Sequence, residues 1–127
     1  MPRKAINSPS LSAVGPYSHA VDCDGLVFLS GQTPVDPKTG KLVEGDIAEQ
    51  TKQCFKNLFS VLEAAGLDAD DVQKVNVFLV NMSDFACMNE VYKQQFKEPY
   101  PARSTIAVAG LPLNANVEIE LIAKRKS

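Results

Sequence analysis

Val72-Gln73-Lys74-Val75-Asn76-Val77-Phe78-Leu79-Val80 reads as a strand, and its last six residues decide the fold. Successive side chains of a strand point to opposite faces. One face therefore carries Val75, Val77 and Leu79, and the other carries Phe78 and Val80. A strand that is apolar on both faces is buried on both faces. Its neighbours in the chain set what can bury it.

On the N-terminal side lies the clearest helix, opening at Asp46. Asp46 and Glu49 fit the carboxylate form of a capping box. Ile47, Thr51, Cys54, Phe55, Leu58, Leu62 and Ala65 recur at intervals of three and four and lay one apolar stripe, which Gly66 ends as the residue after the C-cap. A polar turn spans Asp68 to Asp71. On the C-terminal side a second helix is expected from Ser83 to Phe96, presenting Phe85, Met88, Val91, Tyr92 and Gln95; Pro99 and Pro101 forbid its continuation. Two strands follow, Ser104 to Ala109 and Val117 to Lys124, joined by Gly110-Leu111-Pro112-Leu113-Asn114.

Nearer the start, Arg3 to Asn7 reads as a short strand. A Ser/Pro/Gly-rich loop from Ser8 to Ser18 comes next, long enough to be expected to carry function. His19 to Cys23 and Leu26 to Ser30 flank Asp24-Gly25, a two-residue hairpin signal. Gly31-Gln32-Thr33-Pro34 ends the second of these strands, and Pro37 to Gly40 forms another turn. The sum is one α+β domain over residues 1–127, with two helices on one face of a mixed five- or six-stranded sheet. Nothing in the chain is left to cover the other face. So large an open apolar surface exceeds what a monomer exposes, which predicts a homo-oligomer packing its bare faces together.

The 127 residues include 45% apolar and 22% charged side chains, the balance of a globular protein. A net charge of −2 argues against nucleic acid as a partner, because phosphate binding needs clustered cations. Lys124, Arg125 and Lys126 cluster only at the C-terminus and read as a solvated tail. Cys23, Cys54 and Cys87 are isolated, and with His19 alone to help them they make no metal site. No signal peptide or membrane-spanning run is legible, so the expected setting is the reducing cytoplasm.

The usual catalytic constellations are absent: no G-x-S-x-G, P-loop, G-x-G-x-x-G or H-E-x-x-H occurs. A triad would rest wholly on His19, the sole histidine, whose plainer reading is a strand-start residue bonded to backbone or water. What remains is Pro101-Ala102-Arg103-Ser104-Thr105. Three arginines stand against ten lysines, and only Arg103 is interior. A guanidinium there can grip a carboxylate through two parallel hydrogen bonds. It can equally form a structural ion pair with Glu118, Glu120 or a neighbouring subunit, and both readings stand. In Val117-Glu118-Ile119-Glu120-Leu121 the two glutamates share one face. Usually such a face meets solvent, but in a cleft a carboxylate can hold and deprotonate a water.

Pro101-Ala102-Arg103-Ser104, Gly110-Leu111-Pro112 and Val117-Glu118-Ile119-Glu120, in that order, resemble the C-terminal motif of the RidA (Rid) family of imine/enamine deaminases. Gly15-Pro16-Tyr17-Ser18, Ser30-Gly31-Gln32 and Asn89-Glu90-Val91-Tyr92 extend the resemblance over nearly the whole chain. It implies a chorismate-mutase-like homotrimer with active sites between subunits, and a cofactor-free, metal-free hydrolysis of 2-imino acids such as 2-iminobutanoate and 2-iminopropanoate to 2-keto acids and ammonium. In the family such species leak from pyridoxal-phosphate enzymes, including threonine and serine dehydratases. The resemblance gives Arg103 the substrate carboxylate and Glu120 the attacking water, whose proton Glu120 could share with the nitrogen. Main-chain N–H groups of Gly31 and Thr105 would hold the substrate, and Tyr17, Ser30, Phe85 and Asn89 would line the cleft. Thr105 stands where many members have cysteine or another small residue. Two other functions remain open: a regulatory trimer binding a small carboxylate, which has no need of Glu120, and a ribonuclease, which the acidic pI and single histidine disfavour.

Overall fold

The computed structural model describes residues 2–13 and 15–126; Met1, Val14 and Ser127, within the domain and loop bounds expected above, lie outside it. Six strands form one sheet in the order β1-β2-β3-β8-β6-β7, from β1 (Lys4–Ile6), β2 (Ala20–Cys23), β3 (Leu26–Gln32), β6 (Val72–Leu79), β7 (Ala102–Ala107) and β8 (Val117–Lys124). Only β6 and β7 pair in parallel, and α2 (Phe85–Lys93) lies between them in sequence. A separate two-stranded ribbon, β4 (Val35–Asp36) with β5 (Lys41–Leu42), brackets the turn at Pro37 to Gly40, where the sequence predicts only the turn.

Local chemistry explains the element ends. Asp24 and Gly25 both have positive φ, the backbone of the tight turn their pairing predicts. Asp46 Oδ1 accepts from the Glu49 N–H at 3.1 Å and starts α1 (Ile47–Ala64). Gly66, at φ 76°, reverses the chain so that its N–H reaches Glu63 O and the Leu67 N–H reaches Leu62 O, closing the helix. The second helix is shorter than expected. A 3-10 turn over Met82–Asp84 precedes α2, and the α-helical hydrogen bonding stops at Lys93 rather than Phe96.

Both helices cover the same sheet face. Phe55, Leu58, Val61 and Leu62 of α1 and Met88 and Tyr92 of α2 bury against Val75, Val77, Leu79, Ile119 and Leu121. Truncating any of the large members to alanine opens a cavity costing about 2–5 kcal/mol. The opposite face is bare in the single chain. Phe28 and Ile106 remain 43% and 50% exposed there, with Phe78 and Ile122 half-buried between them.

Of the C-terminal cations expected to form a solvated tail, Lys124 and Lys126 are exposed but Arg125 is tied into the fold. Arg125 Nε donates to Asp22 Oδ2 at 2.7 Å, and its Nη1 donates to Ala65 O at the end of α1. Lys126 reaches Asp71 Oδ1 at 3.1 Å. The turn of the β2–β3 hairpin and the end of α1 lie close enough for one guanidinium to tie them together.

Candidate active site

Arg103 stands on β7 opposite Val75 of β6, so its side chain shares the helix-covered face. Its Nη1 donates to Asn89 Oδ1 at 2.6 Å, and its guanidinium carbon lies 4.5 Å from the Tyr92 ring centroid and 5.5 Å from that of Phe85. All three partners come from α2, one helical turn apart in sequence. Burial holds the Tyr92 hydroxyl above its ordinary pKa, against the pull of the arginine charge, so it stays a neutral phenol. Asn89, Tyr92, Lys93, Tyr100, Pro101 and Arg103 surround a cavity of about 450 Å3. Among the described residues Arg103 has no carboxylate partner, so the ion pair with Glu118 or Glu120 does not form within a protomer.

Glu120 lies elsewhere. It pairs in register with Asn76 of β6, between the buried Ile119 and Leu121, and points to the bare face. Asn76 Nδ2 donates to its Oε2 at 3.0 Å. Glu120 and Glu118 line a cavity of about 520 Å3 whose wall includes Tyr17, Ser30, Gly31, Pro112 and Leu113. A break in the β3–β8 register between Leu29 and Gln32 leaves Ser30 and Gly31 in the bulge, a device that re-aims backbone beside active sites. The Ser30 hydroxyl donates to Ser18 O at 2.7 Å, which ties the Tyr17-bearing loop to this wall. Burial, and then the charge of Glu120, push the Glu118 carboxyl above its ordinary pKa.

The expected site residues thus fall into two groups. Tyr17, Ser30, Gly31 and Glu120 meet in one cavity on the bare-face side. Asn89 and Arg103 meet around another beside α2, with Phe85 against the guanidinium. Thr105 lines neither; it sits two residues beyond Arg103 on the same face of β7, its Oγ1 buried without a partner. Asn76 and Tyr92, which hold Glu120 and Arg103, escaped the sequence reading as site residues. For Asn76 the signal was available, since an amide stands in an otherwise apolar run.

His19 takes its plainer reading. It is buried just before β2, and its Nδ1 accepts the Ser8 N–H at 2.9 Å, so it serves the loop rather than a nucleophile. All three cysteines are free thiols; burial, and then the charge of Glu118, push the Cys54 thiol well up. Among the described residues no group of side chains could hold a metal ion, and no helix is long and apolar enough to cross a membrane.

A mixed sheet with both helices on one face, an arginine seat beside α2 and a two-carboxylate cavity on the bare-face side define a class of small α+β protein with a divided polar site. Comparison with known proteins names the family. Residues 7–125 match the family described as Endoribonuclease L-PSP. A RutC family protein of Pyrococcus horikoshii is 49% identical over 113 residues, covering 89% of this chain and 90% of the relative. The 2-iminobutanoate/2-iminopropanoate deaminase of Mus musculus is 46% identical over 122 residues, 95% of this chain and 90% of that protein. The crystal structure of RidA from the Antarctic bacterium Psychrobacter sp. superposes with a TM-score of 0.92 at 44% identity, covering 97% of this chain and 100% of that one. The chain belongs to this family, the RidA family of its motifs.

Proposed function

We propose that this protein is an imine deaminase, hydrolysing 2-imino acids such as 2-iminobutanoate and 2-iminopropanoate to 2-keto acids and ammonium. The deaminase names of its relatives support the reaction class. One observation carries the site: Arg103 and Glu120, on opposite faces of one sheet, each stand in a cavity missing what the other supplies. A second copy seated on the bare face can bring the two half-sites together. A chorismate-mutase-like homotrimer, with three such clefts between subunits, satisfies both the open apolar surface and the divided site.

In that cleft Arg103, one Nη already engaged by Asn89, presents its remaining N–H groups to the substrate carboxylate. Losing a charged contact of this kind costs on the order of 1.5–3 kcal/mol, which favours imino acids over simple imines. Glu120, with Oε2 held by Asn76, has its other oxygen to accept a proton from water. A protonated imine carbon is already electrophilic. Holding water in line with it can supply roughly 7–11 kcal/mol of the barrier. Gly31 and Thr105 add main-chain N–H groups, and Tyr17, Ser30, Phe85 and Asn89 enclose the substrate.

A ribonuclease reading, prompted by the family's description, finds less support. Among the described residues, one protomer's cavity around both glutamates is lined by no lysine, arginine or histidine, and the completed cleft would add Arg103 as a lone cation, short of the clustered charge a phosphodiester backbone needs. A non-catalytic carboxylate sensor would have no use for Glu120. We place the activity in the cytoplasm, where free thiols persist, although relatives from Schizosaccharomyces pombe and Arabidopsis thaliana are named as mitochondrial and chloroplastic. Cell fractionation tests that placement.

The deciding experiment couples a threonine dehydratase to this protein and follows 2-ketobutyrate release. Wild type should accelerate it and Arg103→Ala should not. Equal acceleration by both would overturn the mechanism.

A further inference from the structure

Glu118 is the one carboxylate lining the larger cavity to which the mechanism above gives no task. It sits two residues before Glu120 on the same face of β8, which sets the two side chains about 7 Å apart along the strand. Both line the same cavity with Tyr17. Their surroundings differ. Across the ladder on β6, Glu120 faces the Asn76 amide, which donates to it, whereas Glu118 faces the Phe78 ring. Gly31 leans directly on the Glu118 carboxyl: a Cβ built at residue 31 would collide with Glu118 Oε2 and press on its Cδ at 3.0 Å. The bulge that carries Gly31 thus leaves just enough room to seat this half-buried carboxyl against backbone.

Within one protomer no cation is among the described residues around Glu118, and the Arg103 that a neighbouring subunit brings to this cleft is taken up by the substrate carboxylate. On its own strand it meets the Glu120 charge. Gly31, Gln32 and Thr33 bound it from β3 and the following turn, with Tyr17, Pro112 and Leu113 from the loops. Behind the sheet lies the Cys54 thiol, itself held protonated. Among the described residues lining the cavity there is no cation. Two carboxyls in one cavity, one met by an amide donor and the other by a ring and close backbone, are an arrangement that can divide acid from base work.

We propose that Glu118 is the second proton-handling group of this site, exchanging a proton with the departing nitrogen while Glu120 acts on water. The inference rests on the imine-deaminase reading and deepens it. Water oxygen bonds to the imine carbon, the C=N π pair moves to nitrogen, and Glu120 carboxylate takes the water proton. Glu118 carboxyl then protonates the amine nitrogen of the carbinolamine. The C–N bond breaks with its pair going to nitrogen, the hydroxyl oxygen forms C=O, and its proton returns to Glu118. Ammonia leaves with the proton held by Glu120, as ammonium. Both glutamates end as they began, and imine cation plus water becomes ketone plus ammonium.

The test compares kcat against pH for wild type, Glu118→Gln, Glu118→Asp, Glu120→Gln and Arg103→Ala in the coupled assay, with thermal unfolding of each. Glu118→Gln should lose about a hundredfold in kcat with KM near wild type, and lose the alkaline limb of the profile. Glu118→Asp should recover part of both. A fully active Glu118→Gln with its alkaline limb intact, beside inactive Arg103→Ala and Glu120→Gln, overturns this proposal alone. Wild type indistinguishable from Arg103→Ala instead overturns the deaminase reading and this proposal with it. Should Glu118→Gln fail to fold, 13C carboxyl NMR of labelled wild type decides: Glu118 must stay protonated above the ordinary glutamate range, and titration within that range overturns the assignment.

Discussion

Arg103 and Glu120 share a sheet but not a face: Arg103 lies under α2 on edge strand β7, and Glu120 points from β8 to the uncovered side. If one protomer's Arg103 works with another's Glu120, two inactive variants should complement each other. Equal amounts of Arg103→Ala and Glu120→Gln subunits, unfolded and refolded together, should regain about a quarter of wild-type activity, because one interface in four then carries both native groups. Persistent inactivity of well-folded mixed oligomers would place both residues' partners within one chain.

Asn89 fixes the guanidinium by a short hydrogen bond, and Tyr92 supports it from the ring face. Asn89→Ala should therefore weaken substrate binding more than turnover. Steady-state kinetics should show KM raised roughly tenfold or more, the equivalent of about 1.5–3 kcal/mol. Unfolding temperature should change little, since Asn89 lies at the cavity rather than in the core.

Phe28 projects from β3 on the bare face, already 43% exposed in the single chain. Phe28→Lys should leave the protomer folded and block association by burying a charge at the subunit contact. Light scattering should report a monomer, circular dichroism a native spectrum, and the coupled assay no activity. An intact oligomer would show that the subunits meet elsewhere.

Gly31→Ala tests the close approach to Glu118 without altering charge. Because the new methyl meets the flexible end of a glutamate, the chain should fold with a near-native unfolding temperature while the carboxyl moves aside. A crystal structure of the variant should show Glu118 displaced, and kcat should fall.

Arg125 also shapes the response to acid. Its hydrogen bond, joined by the Gly25 N–H, holds the Asp22 carboxyl below its ordinary value. A carboxyl with a depressed folded-state pKa contributes stability above its unfolded value of 3.8, lost as pH falls through the folded pKa. Wild type should thus lose part of its thermal stability below about pH 4, and Asp22→Asn should flatten that dependence. Melting curves from pH 2 to 7 check both.

Much of this was legible in order along the chain. The alternation of Val75, Val77 and Leu79 against Phe78, the three-and-four spacing from Ile47 to Ala65 and the Asp24-Gly25 turn depend on neighbours within a few residues, so the strands of the main sheet, the first helix and the uncovered face could be read directly, though the β4–β5 ribbon could not. The same periodicity put Glu118 and Glu120 side by side, and the run around Arg103 singled it out. What only the tertiary structure decided depends on pairing between distant segments. The parallel β6–β7 register turns Arg103 under α2 to meet Asn89 and Tyr92, and the antiparallel β6–β8 register sets Asn76 against Glu120 and Phe78 against Glu118. Register is a relation between two strands, and a shift of one residue would turn either side chain to the other face. No single segment encodes it, which is why the sequence could name Arg103 and Glu120 but not divide them between two sides of the sheet.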